Sequence, residues 1–113
     1  MPIEMTKEED ELVHKYILLP LTYRVLVHDT KAIDDSGLKF KGFYYDLVEH
    51  ALKQLSCDLR EIKAEMRKQK IRMIKYDDLT YDAVVRGWTY RIVFHKVYAA
   101  EWVEAKLNEY LNR

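Results

Sequence analysis

Apolar positions recur in three- and four-residue steps over most of the chain, a rhythm that predicts helices. Thr6 opens the first. Thr6-x-x-Glu9 has the form of a capping box, in which each side chain satisfies a backbone N–H of the other residue. Glu8, Glu9, Asp10 and Glu11 place negative charge where the helix dipole is positive. Leu12, Tyr16, Leu19, Tyr23, Leu26, Thr30 and Ile33 then form one seam that keeps its phase through Pro20. A kink is therefore expected at the proline rather than two separate helices. Asp34-Asp35-Ser36-Gly37 marks a turn. A second helix is expected from about Lys39 to Lys70, on the seam Tyr45, Val48, Leu52, Leu55, Leu59, Ile62 and Met66. Two long helices joined by a short loop become antiparallel neighbours, an αα-hairpin.

The rhythm changes after Lys70. Ile71, Met73 and Lys75 alternate with Arg72, Ile74 and Tyr76, and Thr80–Arg86 is rich in β-formers, with Gly87 closing the segment. A β-hairpin is expected there. Val93, Val97, Ala100, Val103, Leu107 and Tyr110 return to helical spacing, so a last helix is expected from about Trp88 to Leu111. In a rival parse Leu79–Arg86 is helical and Tyr90–His95 is a strand, since short apolar runs suit either state. The fold class is mainly α within α+β: a long antiparallel helical hairpin, a β-hairpin and a C-terminal helix. Residues 1–113 are expected to make a single domain.

Composition narrows the classes of function. No apolar run approaches the roughly 20 residues of a membrane span, so no membrane partner is expected. The acidic start lacks the basic, then apolar, layout of a signal peptide. The lone Cys57 has no internal disulfide partner, which suits a reducing compartment. A cytoplasmic location is the expectation.

Candidate chemistry is sparse. Glu11-x-x-His14 has the spacing that aims two ligands inward in di-metal bundles, but no second such motif follows. His14 would face the far half of helix two, whereas His50 lies near its start, so one metal site does not hold both. His28 and His95 stand alone. Cys57 lies off the apolar seam with nothing nearby to activate it. Three scattered glycines build no phosphate-binding loop. No cofactor, metal or catalytic residue is expected, and a non-enzymatic role is favoured.

Charge gives more. Lysine plus arginine and aspartate plus glutamate balance at 19 each, yet residues 1–35 carry net −4, residues 36–75 net +5 and the remainder −1. The cations are densest at Arg60, Lys63, Arg67, Lys68, Lys70, Arg72 and Lys75, against Glu61 and Glu65. Arg67, Lys68, Lys70, Arg72 and Lys75 are the candidate nucleic-acid contacts, with Tyr76, Tyr81 and Trp88 as stacking surfaces. Against this, an antiparallel hairpin sets the acidic start of helix one beside the basic end of helix two, and pairing between them would consume the field. Protein–protein association is the favoured class. Val13, Ile17, Leu18, Leu21, Val25 and Val27 widen helix one's apolar stripe, and the nine tyrosines and two tryptophans suit contact surfaces as well as cores. A homo-oligomer or a host or phage protein partner is expected.

The chain resembles a family of small uncharacterised proteins of Bacillus-type bacteria and their phages, the YhjD-like proteins. The resemblance rests on Glu11–Leu21, Leu38-Lys39-Phe40-Lys41, Asp58–Lys63, Met66-Arg67-Lys68, Arg86-Gly87-Trp88 and Val103–Leu107. The segment Ile92–Trp102 departs most from that pattern, being more apolar. The resemblance implies no known activity and brings no site residues. It implies a hairpin after helix two and a bacterial or phage cytoplasmic setting.

Overall fold

Thr6 and Glu9 close the capping box: the Thr6 N–H donates to Glu9 Oε1 at 2.8 Å, and the Glu9 N–H donates to Thr6 Oγ1 at 3.1 Å. The computed structural model, which describes residues 4–37, 39 and 41–112, starts α1 directly behind it. Helix α1 spans Lys7–Asp34 with Pro20 inside one unbroken helix. Thr22, fully buried, donates its hydroxyl to the Leu18 carbonyl at 3.0 Å, so its polar atom is satisfied within the helix. Helix α2 spans Lys41–Lys68 and returns antiparallel. The Tyr45 hydroxyl and Lys41 Nζ both donate to Asp34 across the looped end of the pair. The Ile33 side chain, which ends the predicted seam, lies outside the described residues, as do Leu38 and Phe40 of the quoted motif.

Helix α2 ends two residues before the expected boundary, in a Schellman motif. Lys70 N–H bonds the Arg67 carbonyl at 3.1 Å, and Ile71 N–H bonds the Met66 carbonyl at 2.9 Å. Buried Ile71 and Met66 supply the motif's apolar contact. Lys70 holds a φ of +58°, where a side chain is strained and glycine is not. Lys70→Gly is therefore expected to raise stability by about 0.5–1 kcal/mol, read as an upward shift in thermal midpoint.

Three strands follow as an antiparallel meander: β1 Arg72–Asp77, β2 Thr80–Val85 and β3 Trp88–Val93, in the order β1-β2-β3. The expected hairpin is β1 with β2. The third strand corrects the predicted helix start, since Trp88–Val93 pairs with Thr80–Val85 along its whole length. The rival parse had Tyr90–His95 extended, close to β3, but its helical Leu79–Arg86 is β2. The reason is the Arg86-Gly87 turn. Both residues have positive φ, +52° and +79°, the two-residue geometry that matches strand twist and returns the chain as a strand. Helix α3 then spans Lys96–Leu111, its start capped by His95, whose ring Nδ1 accepts from the Val97 N–H at 3.2 Å.

Helix α1 is the hub. On the inner face of β2, Tyr81, Ala83 and Val85 are buried. Arg24–Asp78 at 3.1 Å, the edge-on rings of Tyr16 and Tyr81, and Arg86–Glu9 lay β2 antiparallel along the first half of α1. Helix α3 crosses α1 from Phe94, edge-on to His14, to Tyr110, whose hydroxyl donates to Asp58 of α2. The deepest side chains of α1 are consequently Val13, Ile17, Leu18, Leu19 and Thr22, whereas Leu12, Tyr16 and Tyr23 of the predicted seam are only half-buried. In α3 the buried line is Ala99, Val103 and Tyr110, and Val97 and Ala100 are exposed. No helix among the described residues is long and apolar enough to cross a membrane.

Candidate functional site

Arg67, Lys68, Lys70 and Arg72 are all exposed around the junction of α2 and β1, and none of them is in an ion pair among the described residues. The expected cancellation by the start of α1 does not occur there. Glu9 turns to Arg86 and Asp10 lies 3.6 Å from His14, so that acidic end is turned to other partners. Lys75 separates from the group. It sits three residues farther along β1, on the opposite face from Arg72, bridged to Asp78 at 3.1 Å. Arg24 and then Lys75 hold the Asp78 carboxyl below its ordinary range.

The proposed stacking surfaces do not assemble. Tyr81 is 7% exposed and belongs to the core. Tyr76 lies under the Arg91 guanidinium, 4.5 Å from its ring centre, and donates its hydroxyl to Asp82 at 2.7 Å. Arg91 Nε also bonds Asp82 at 2.5 Å, and together these contacts hold the Asp82 carboxyl low. The cluster spans all three strands on the outer face and ties them laterally. Tyr76 was singled out from sequence only as a stacking surface, and Asp82 and Arg91 not at all, because the three converge only once β3 exists. Trp88, exposed, stands at the Arg86-Gly87 end, away from Tyr76.

Helix geometry keeps the histidines apart. His14 Nδ1 donates to the Asp10 carbonyl at 2.9 Å, with its ring against Phe94. Among the described residues no three His, Cys, Asp or Glu side chains converge as metal ligands would. Cys57 is exposed, with Arg60 Nη2 at 3.5 Å from its sulfur.

Two apolar features stand out. A groove of about 650 Å³ runs between α1 and α3, floored by Leu21, Val25, Ala99, Ala100, Val103 and Leu107 and edged by Arg24, Lys96 and Glu104. Beyond it the far half of the α1–α2 hairpin leaves the sheet and α3 behind. The molecule measures 59 × 26 × 19 Å, and its long axis reflects helices of about 42 Å. On this projecting half Phe43, Tyr44 and Leu47 are 68%, 40% and 36% exposed, and Val25, where the groove opens onto it, is 38% exposed, a concentration of large apolar side chains that single surface positions do not make.

A family model described as YhjD protein matches residues 4–113. The chain belongs to the YhjD family. It is similar to "Uncharacterized protein YhjD" of Bacillus subtilis (strain 168), 33% identical over 67 residues, which is 59% of this chain and 56% of that relative. The matched region thus spans just over half the length of that relative. No solved structure matches.

Membership of the YhjD family assigns no catalytic residue, so the surface itself carries the functional argument. The most informative surfaces of this YhjD-family chain are the bare apolar end of the hairpin and the cationic junction of α2 with β1. Pattern alone ranked helix one's extra apolar residues together. The fold divides them into core (Val13, Ile17, Leu18), groove (Leu21, Val25) and bare surface (Val27).

Proposed function

We propose that this YhjD-family protein is a non-enzymatic accessory or regulatory protein that acts by protein–protein contact and self-associates through the projecting half of its helical hairpin. One observation carries the reading. Leu47 precedes Asp58 on α2 by 11 residues, within about 20° of the same direction around the helix. Asp58 meets Tyr110 of α3, so Leu47 presents on the side that α3 covers farther down. Val25 lies on that same side, because with Leu21 it lines the groove against α3. The face that α3 buries on the first half of the hairpin thus continues bare on the second half. A second hairpin laid there makes a four-helix arrangement and covers Tyr44, Leu47 and Val25 together.

Sedimentation velocity across a concentration series tests it. The natural protein is expected to sediment as a dimer or larger oligomer, and Phe43→Glu/Leu47→Glu as a monomer with unchanged helical circular dichroism. A natural protein that stays monomeric at every concentration, and captures no specific protein from lysate, overturns the reading.

A further inference from the structure

Charge is sorted around the second half of α2, and the sorting is visible only once the neighbours of the helix are known. At about 100° per residue, Arg60, Lys63 and Arg67 fall within about 60° of one another. Glu61 and Glu65, the acids among them, are centred about 100° and 140° around the helix from Arg60. Glu61 lines a cleft with Lys15, Lys106 and Tyr110 on the α3 side and also borders a shallow hollow with Cys57, Arg60 and Ala64, and Glu65 accepts from Gln69 at 2.8 Å. The sector within about 60° of Arg60 holds all three cations and no acid from Ser56 to the helix end, with Glu61 at its border. Only Ser56, Cys57 and Ala64 share it. Lys70 and Arg72 then continue the positive charge around the Schellman turn into the edge strand β1. All five are exposed, and none is in an ion pair among the described residues.

We propose that Arg60, Lys63, Arg67, Lys70 and Arg72 form a binding strip for the phosphodiester backbone of a nucleic acid. The revised strip gains Arg60 and Lys63, and it loses Lys75, which Asp78 engages, and Lys68, which points about 100° away from Arg67. Its spacing suits a line of phosphates. The helical cations rise by about 4.5 and 6 Å along the axis, against about 3.4 Å per phosphate in a duplex strand, so long side chains reach roughly alternate phosphates. A protein partner is less suited, because the strip lacks the aromatic or aliphatic anchors on which such interfaces depend. A membrane surface is less suited for the same reason, since interfacial helices carry an apolar face beside the charge. Backbone contacts of this kind position a nucleic acid without reading its sequence. The strip lies at the opposite end of the hairpin from the apolar face, so it is independent of the self-association reading.

Fluorescence anisotropy of the full chain with a labelled duplex and the matching labelled single strand, over a salt series, tests the strip. Five engaged cations give a slope of log affinity against log salt of about −4.5 on duplex DNA and about −3.5 on a single strand. Arg60→Gln/Arg67→Gln is expected to flatten the duplex slope by about 1.8 and to weaken binding at least tenfold at low salt. Lys70→Gly, which relieves backbone strain, is expected to keep or raise thermal stability while flattening the slope by about 0.9. Lys31→Gln/Lys96→Gln removes the same charge away from the strip and is expected to leave binding within a factor of two or so. No binding at low salt overturns the proposal. Equal losses in the strip and control pairs do so as well, as does tighter, strip-dependent binding to phosphatidylserine vesicles than to either oligonucleotide.

Discussion

Leu18→Ala is expected to be among the most damaging single truncations in this chain, at about 3 kcal/mol, while Leu12→Ala costs about 1 kcal/mol. Leu18 has no exposed surface, and α1 there is enclosed by α2, α3 and the sheet, so the void left by the deleted carbons has little room to collapse. Leu12 is half-buried on the flank of the same helix. Val27→Ala, on the bare hairpin, is expected within about 0.5 kcal/mol of neutral for the monomer. Urea titration of the three variants gives the ranking directly. At roughly 4 °C per kcal/mol, the thermal midpoints of the first two separate by about 8 °C. If Leu12→Ala proved costlier than Leu18→Ala, α1 would be packing by its three-four seam alone, and the docking of α3 and the sheet described above would be wrong.

That contrast shows what periodicity carries and where it stops. The seam of α2 was legible because this helix has one principal neighbour, and Val48, Leu55, Ile62 and Met66 are buried as their spacing requires. The seam of α1 was legible as a helix but not as a core. A helix packed on three sides buries residues at about 220°, 260°, 0° and 100° around its axis, for Val13, Ile17, Leu18 and Leu19, and no two-residue-wide stripe describes that. The capping box was readable because both members lie three residues apart on one chain segment. The third strand was not. Arg91-Ile92-Val93-Phe94 suits helix or strand, and the deciding signal is a turn in which an arginine, not a glycine or asparagine, takes the first positive φ. The cationic strip was half legible. Composition located the cluster, but segregation from Glu61 and Glu65 depends on which side of α2 receives α3. Mutual cancellation with the start of α1 followed from adjacency in the hairpin. It fails because Arg86, remote in sequence, reaches Glu9.

That last contact makes Glu9 a residue with two structural roles and gives it a pH signature. Its Oε1 closes the capping box with the Thr6 N–H, and its Oε2 receives Arg86 from the β2–β3 turn, with Arg86 also donating to the Glu4 carbonyl at 3.2 Å. Glu9→Ala removes both roles and is expected to cost about 2 kcal/mol: the cap is worth about 1, and the ion pair is discounted because Arg86 remains part-exposed. Glu9→Gln keeps an acceptor for the cap but removes the charge, which isolates the Arg86 pair and is expected to cost about half as much. The hydrogen bond from Arg86, with those of Thr6, holds the Glu9 carboxyl below its ordinary value of 4.5 against the opposing effect of burial. The folded state therefore binds this proton more weakly than the unfolded chain. The stability it contributes is fully present above about pH 4.5 and is lost as pH falls through the depressed folded value. Thermal midpoints of the natural protein and Glu9→Gln are accordingly expected to differ at neutral pH and to converge as the solution is acidified below the ordinary glutamate range. Arg86→Gln is expected to reproduce the same closing gap, and the double variant to add little, because the two side chains act through one contact. A gap that stayed constant down to acid pH, or additive losses in the double variant, would show that Glu9 stabilises only the start of α1 and that the turn is not anchored to it.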